Sequence, residues 1–120
     1  MKYRLLPLLA CLLSFIAYAD EDAAAEIDYL LVSIGSSGCT FVRNGERYNA
    51  EAAEDHLRTK YRRGKRYAST SEKFIERLAS KSYLSKKLYY IECGDEGNIP
   101  SGDWLMKRLN EYRAAPKDQQ

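Results

Sequence analysis

The sequence predicts an α+β domain in which a small antiparallel sheet of two to three strands packs against about four helices, in the order α-β-β-α-α-β-α, with one disulfide. Three observations carry this prediction. Apolar residues recur at helical spacing in four separate stretches. Two short alternating runs flank Asn44-Gly45, the dipeptide best suited to the positive φ angles of a type I′ hairpin turn. Cys39 and Cys93 lie at the ends of the two segments with most strand character, so a single antiparallel register brings them face to face.

The chain opens on a segment of another kind. A short basic start (Lys2, Arg4), an apolar run over residues 5–16 and small residues at Ala17 and Ala19 follow the order of a secretory signal peptide cut after Ala19. The run is about a dozen residues long and contains Pro7, against the roughly 20 apolar residues that a membrane-crossing helix needs. The expectation is a cleavable leader with no permanent membrane span. Leu8-Leu9-Ala10-Cys11 is similar to the lipid-attachment box of bacterial lipoproteins, which leaves a lipidated Cys11 as the alternative; that cut would strand the apolar residues 12–16 on the mature N-terminus. The expected organisation is a leader over residues 1–19, one domain over 20–115 and a polar tail over 116–120, in a periplasmic or secreted protein.

Each element then follows from local pattern. Ile27, Leu30, Leu31 and Ile34 stand at i, i+3, i+4, i+7, the spacing of a helix with one buried face, and Ser36-Ser37-Gly38 ends it. Residues 39–43 alternate as a strand, and residues 46–48 form the short return. Asn49 caps a helix from Ala50 to about Arg63 whose stripe is Ala53, Leu57 and Tyr61, and Gly64 breaks it. Ser69-x-x-Glu72 forms a capping box ahead of Phe74, Ile75, Leu78 and Ala79, a third helix reaching about Ser80. After a polar loop, residues 88–93 are β-branched and aromatic enough to be a strand, and residues 94–100 read as a turn-rich connection. Trp104, Leu105, Leu109 and Tyr112 mark a closing helix.

Cysteine usage ties the strands together. In an oxidising compartment the two cysteines outside the leader, Cys39 and Cys93, are most simply a disulfide. A bridge closing about 55 residues contributes on the order of 4 kcal/mol by loop entropy, a large share of the roughly 5–15 kcal/mol of a typical domain. If the two strands pair antiparallel, Cys39 faces Cys93, Phe41 faces Ile91 and Arg43 faces Tyr89, all on one face of the sheet.

Charge narrows the function classes. Lys2 and Arg4 are the leader's only charges, so 19 basic against 17 acidic residues becomes 17 against 17 beyond it. The distribution is uneven. Asp20, Glu21, Asp22, Glu26 and Asp28 open the domain, whereas Arg58, Lys60, Arg62, Arg63, Lys65 and Arg66 fall together with no acid among them. Such cations can hold phosphate or carboxylate groups, and Tyr61 and Tyr67 can stack on ring systems; the plainer alternative is a solvated helix end whose cations suit its dipole. His56 is the only histidine, no serine sits in a nucleophile-elbow pattern, and one histidine without clustered carboxylates falls short of a metal set. No catalysis, cofactor or metal is expected. The alternative for His56 is a partly buried helix residue bonded to a backbone carbonyl.

Phe41-Val42-Arg43-Asn44-Gly45, then Ala53 with His56-Leu57-Arg58-x-Lys60, then Glu72-x-Phe74-Ile75, and a serine-rich loop into Tyr89 resemble the YfeK-like family, a domain of unknown function, over residues 27–91. The resemblance implies a small exported bacterial protein, in the periplasm or beyond it, with no established activity and no residue roles to carry over. It departs at Lys86, where such proteins tend to have glycine after the serine, which puts a glycine-dependent turn in question.

The expected function is a non-catalytic binding module for an anionic envelope component such as an acidic polysaccharide, with a site of Arg43, His56 and Lys60 extended by Arg62 and Arg63. The geometric warrant is that the hairpin tip runs within a few residues into a helix on which His56 and Lys60 lie one turn apart. The alternatives for its cations are Arg43 stacked on Tyr89 and Lys60 lying along the core edge. Nucleic acid is a poor partner for an exported chain. The other function class is a protein-interaction or inhibitor protein of the envelope. Ser85-Lys86-Lys87-Leu88-Tyr89 is similar in spacing, but without the glycine, to the Ser-Gly-x-x-Tyr loop of some periplasmic lysozyme inhibitors.

Overall fold

The computed structural model describes residues 14–116 and residue 118. Most of the expected leader, with Cys11, lies outside the described residues, as do residues 117, 119 and 120 of the tail; residues 14–19 belong to the start of the first helix.

Helix α1 (Ser14–Gly35) buries Ile27, Leu30, Leu31 and Ile34, the stripe its spacing dictates. It closes with Ser36 and Ser37 donating back to the carbonyls of Val32 and Ile34. Strands β1 (Thr40–Arg43) and β2 (Glu46–Tyr48) meet at Asn44 (φ 51) and Gly45 (φ 81), both in the left-handed region that a type I′ turn requires. Helix α2 (Ala50–Gly64) starts where the Asn49 side chain accepts a hydrogen bond from the Ala52 N–H, and it buries Ala53 and Leu57. Past Gly64 the chain tightens into a 3₁₀ turn, Lys65–Tyr67.

Helix α3 (Ser71–Phe74) runs on as a π-helical turn, Ile75–Ala79. Its cap is Thr70 rather than Ser69. The Thr70 hydroxyl accepts from the Lys73 N–H, while Ser71 is drawn into the interior to donate to Glu26 Oε1 at 2.7 Å. Glu72, the expected reciprocal partner of the capping box, instead accepts from Arg113.

Strand β3 (Tyr90–Glu92) is shorter than the sequence pattern indicates, because Leu88 pairs with Lys81 across a small loop and stands half exposed. A further strand, β4 (Asn98–Pro100), follows a tight 3₁₀ turn at Gly94–Glu96, and helix α4 (Ser101–Ala114) closes the domain. The antiparallel sheet has four strands, in the order β2-β1-β3-β4, against the expected two to three. The extra strand had little signal, since Ile99 is its only apolar residue and it carries Pro100, which sheets tolerate at an edge.

The central register is the expected one. Thr40 faces Glu92, Phe41 faces Ile91 and Val42 faces Tyr90. Continuing it places Cys39 beside Cys93, and the two form a disulfide with their Cα atoms 4.6 Å apart. Tyr89 falls just outside β3 and gives its N–H to the Ser80 carbonyl, but its ring still packs on Phe41, with centroids 5.5 Å apart. Phe41, Ile91 and Tyr89 form the sheet side of one core, closed by the α1 stripe, Leu57, Phe74, Leu105 and Leu109. Among the described residues no helix is long and apolar enough to cross a membrane.

Candidate anion-binding site

Arg43 ends β1 and points across the hairpin toward α2. Its Nη1 donates to His56 Nε2 at 3.2 Å and its Nη2 to the Tyr48 hydroxyl at 3.1 Å. The guanidinium lies 5.3 Å from the Tyr48 ring centroid, and the Tyr48 hydroxyl donates a hydrogen bond to Glu46 Oε2 at 2.7 Å. One turn along α2, Lys60 Nζ donates to the Tyr89 hydroxyl at 3.0 Å and, at 3.4 Å, to the Lys81 carbonyl. Arg43 interacts with Tyr89 as the strand register implies, but the ring its guanidinium lies over is that of Tyr48, diagonal to it across the hairpin, and the cation over the Tyr89 ring is Lys60, 4.9 Å from the centroid. His56 bonds to Arg43 rather than to a backbone carbonyl.

Among the described residues no carboxylate bonds directly to these cations, and cations crowded in a partly buried place without one are electrostatically unsatisfied. Burial pushes Lys60 down to about 8, helped by the Arg43 charge. Burial, Arg43 and Lys60 in turn push His56 below the usual histidine range, which agrees with its accepting a hydrogen bond as the neutral ring. Burial also raises the Tyr89 hydroxyl, against the opposing pull of Arg43. A small cavity of about 150 Å³ opens between Arg43, Tyr48 and His56, with Phe41, Ala52 and Ala53 behind them.

Lys60 also faces a larger groove of about 740 Å³. Tyr67, Tyr83 and Leu78 supply its apolar surface, and Lys60, Arg63, Arg77, Lys81 and Lys86 supply its charge. None of the described residues lining it is acidic. One wall is the end of α2, held close because Gly64 has no side chain; a Cβ there would sit 3.2 Å from Leu78 Cδ2. The other wall is the loop over residues 80–88. Ser82 is buried in it and donates from N–H to the Lys87 carbonyl, the Lys86 N–H returns to the Ser82 carbonyl, and Ser85 Oγ donates to Asn44 Oδ1 at 2.7 Å, tying the loop to the hairpin tip. At the position where the family resemblance had put a glycine turn in question, Lys86 itself adopts φ 63.

Arg43, His56 and Lys60 are thus brought together, and Arg63 joins them through the groove. Arg62 does not; it is exposed and donates back to Thr59 Oγ1. Arg58 is held by Glu54 and Asp28. Tyr61 packs edge-on against Phe74 in the core margin, so of the two tyrosines proposed for stacking Tyr67 lines the groove. The sequence reading missed Tyr48, Arg77, Lys81 and Lys86, and took Tyr89 only as a competitor for Arg43. Alternation across the hairpin marks Tyr48, whereas no local pattern marks Arg77 or Lys86, which reach the groove only through tertiary packing. Among the described residues no group of three or more His, Cys, Asp or Glu side chains is placed to hold a metal ion.

Residues 21–113 match the sequence model of a family described as Family of unknown function (DUF5329). The chain is 36% identical over 92 residues to the uncharacterized protein YfeK of Salmonella typhimurium (strain LT2), covering 74% of this chain and 77% of that relative. No solved structure gives a significant match.

Proposed function

We propose that this chain, which belongs to the DUF5329 family, is a non-catalytic binding module for an anionic component of the cell envelope, acting after export. The observation that carries the proposal is the convergence of Arg43, His56 and Lys60 with no carboxylate among the described residues bonded directly to them, beside a groove whose other described charges are also positive. An anion entering there would supply the missing counter-charge. It would raise the suppressed basicity of Lys60 and His56, so binding takes up protons and weakens as pH rises through about 8, where Lys60 loses its charge.

The test is retention on a dextran sulfate resin. Replacing both Arg43 and Lys60 with Gln should lower the salt needed for elution well beyond the effect of replacing Lys73 and Lys107, two exposed lysines outside the cluster. Equal losses from the two double variants would mean that net charge alone is at work and that there is no site.

A further inference from the structure

We infer that the groove and its loop form a docking surface for an anionic lipid bilayer, with Tyr83 and Leu84 entering the interface while the surrounding cations meet the headgroups. This rests on the anion-binding reading above and names its ligand class. The loop over residues 80–88 presents Tyr83 at 76% and Leu84 at 88% exposure. Tyr67 and Leu88, each close to half exposed, lie on the same groove and loop, so four of the five most exposed large apolar side chains among the described residues collect here. A single exposed leucine is ordinary on a protein surface, but several large apolar side chains gathered on one loop and groove mark a contact surface. The loop is ordered, by the Ser82 backbone bonds, by the Ser85 bond to Asn44 and by Lys86 lying over the Tyr83 ring at 4.9 Å.

The chemistry of the surroundings selects the occupant. Residues 80–90 contain Lys81, Lys86 and Lys87 and no acid, and Arg63 and Arg77 face them across the groove. The matching partner therefore offers apolar material and negative charge within one side chain's reach of each other. A bilayer with anionic headgroups does so over its whole surface. Tyrosine suits the boundary between headgroup and acyl chain, and lysines can extend from apolar stems to phosphate. A protein partner fits less well, since a stable interface needs roughly 800 Å² per side with a packed apolar centre, and the tip supplies only two fully projecting side chains.

The experiment is co-sedimentation of the chain, as its producing cell releases it, with vesicles of phosphatidylglycerol in phosphatidylcholine and with vesicles of phosphatidylcholine alone. The unaltered chain should bind the anionic vesicles and leave the neutral ones. Leu84→Ser, at a position outside the groove lining, should weaken vesicle binding while leaving the melting temperature and the dextran sulfate retention in place, and replacing Tyr83 and Leu84 together with Ser should weaken vesicle binding at least tenfold. Vesicle binding that survives this change would overturn tip insertion. Absence of vesicle binding alongside resin retention that still depends on Arg43 and Lys60 would overturn the lipid surface and spare the anion site, leaving an acidic protein or polysaccharide as its ligand. Resin retention indifferent to Arg43 and Lys60 would instead remove the reading on which this inference stands.

Discussion

Two residues with positive φ make opposite demands on the chain. Gly45 at φ 81 occupies a conformation that a side chain resists, and Lys86 at φ 63 occupies one while carrying a side chain. The left-handed region costs a residue with a Cβ roughly 1–2 kcal/mol. Gly45→Ala should therefore destabilise by about 1 kcal/mol or more, and Lys86→Gly should exceed Lys86→Ala in stability by about 1 kcal/mol, both read from urea unfolding. Comparing glycine with alanine at position 86 removes the lysine contact with Tyr83 from both variants and leaves the backbone alone. Equal stabilities for those two would mean that the loop relaxes out of the left-handed conformation. The glycine turn at 44–45 was legible because Asn-Gly is a local signal. The turn at 86 was not, because the hydrogen bonds that impose it come from Ser82 and its neighbours, and lysine carries no turn signal of its own.

Helix α2 shows the same tension one level up, for it carries a stabilising stripe on one side and a destabilising cation beside it. Lys60 ionises near 8 in the folded chain and near 10.4 when unfolded, so between those values the unfolded chain binds more protons and stability rises with pH. The full shift corresponds to about 3 kcal/mol, and contact with solvent leaves an expected gain of about 1 kcal/mol. Above about pH 10 the raised Tyr89 hydroxyl works the other way, since the folded chain then holds its proton longer. Lys60→Met should accordingly stabilise the protein at neutral pH and abolish most of the rise from about pH 8 to 10, as measured by thermal melts across that interval. An unchanged rise in the variant would assign it to other groups. The elements themselves were readable wherever period and punctuation agreed: the α1 stripe, the Asn49 cap, and the β1–β3 register, which the cysteine pair and strand period fixed together. They were unreadable where tertiary contacts overrode local pattern, as when Glu26 drew in Ser71 and moved the α3 cap to Thr70. In the site, helical spacing gave His56 and Lys60 and the hairpin gave Arg43. The far wall of the groove comes from residues 77–88, whose approach to α2 is a property of the packed domain.

At the scale of the whole molecule two long-range fasteners hold helices and sheet together, and they answer to different conditions. The disulfide joins residues 54 apart and ties the start of β1 to the end of β3, worth on the order of 4 kcal/mol through the unfolded chain. The second is ionic. Arg113 near the end of α4 donates from Nε and Nη2 to Glu26 on α1, and from Nη1 to Glu72 on α3 at 2.7 Å, so one guanidinium joins three helices, with Ser71 also bound to Glu26. These bonds hold both carboxyls below the usual glutamate range. Because the folded chain binds those protons more weakly than the unfolded one, the contribution is complete above about pH 4.3 and is lost as pH falls through the lowered folded values. Arg113 and Glu72 are partly open to water while Glu26 is largely enclosed, so the network is worth about 1–2 kcal/mol at neutral pH, between the values for an exposed and a buried pair. Arg113→Met should destabilise by that amount at neutral pH and by progressively less as pH falls below about 4.3, where the unaltered chain begins to give up the ion pairs. Urea unfolding of both proteins at pH 7 and again at the lowest pH at which both still fold decides the matter. A penalty of the same size at both pH values would show that Arg113 acts through its aliphatic stem, and that the acid sensitivity of the fold lies elsewhere.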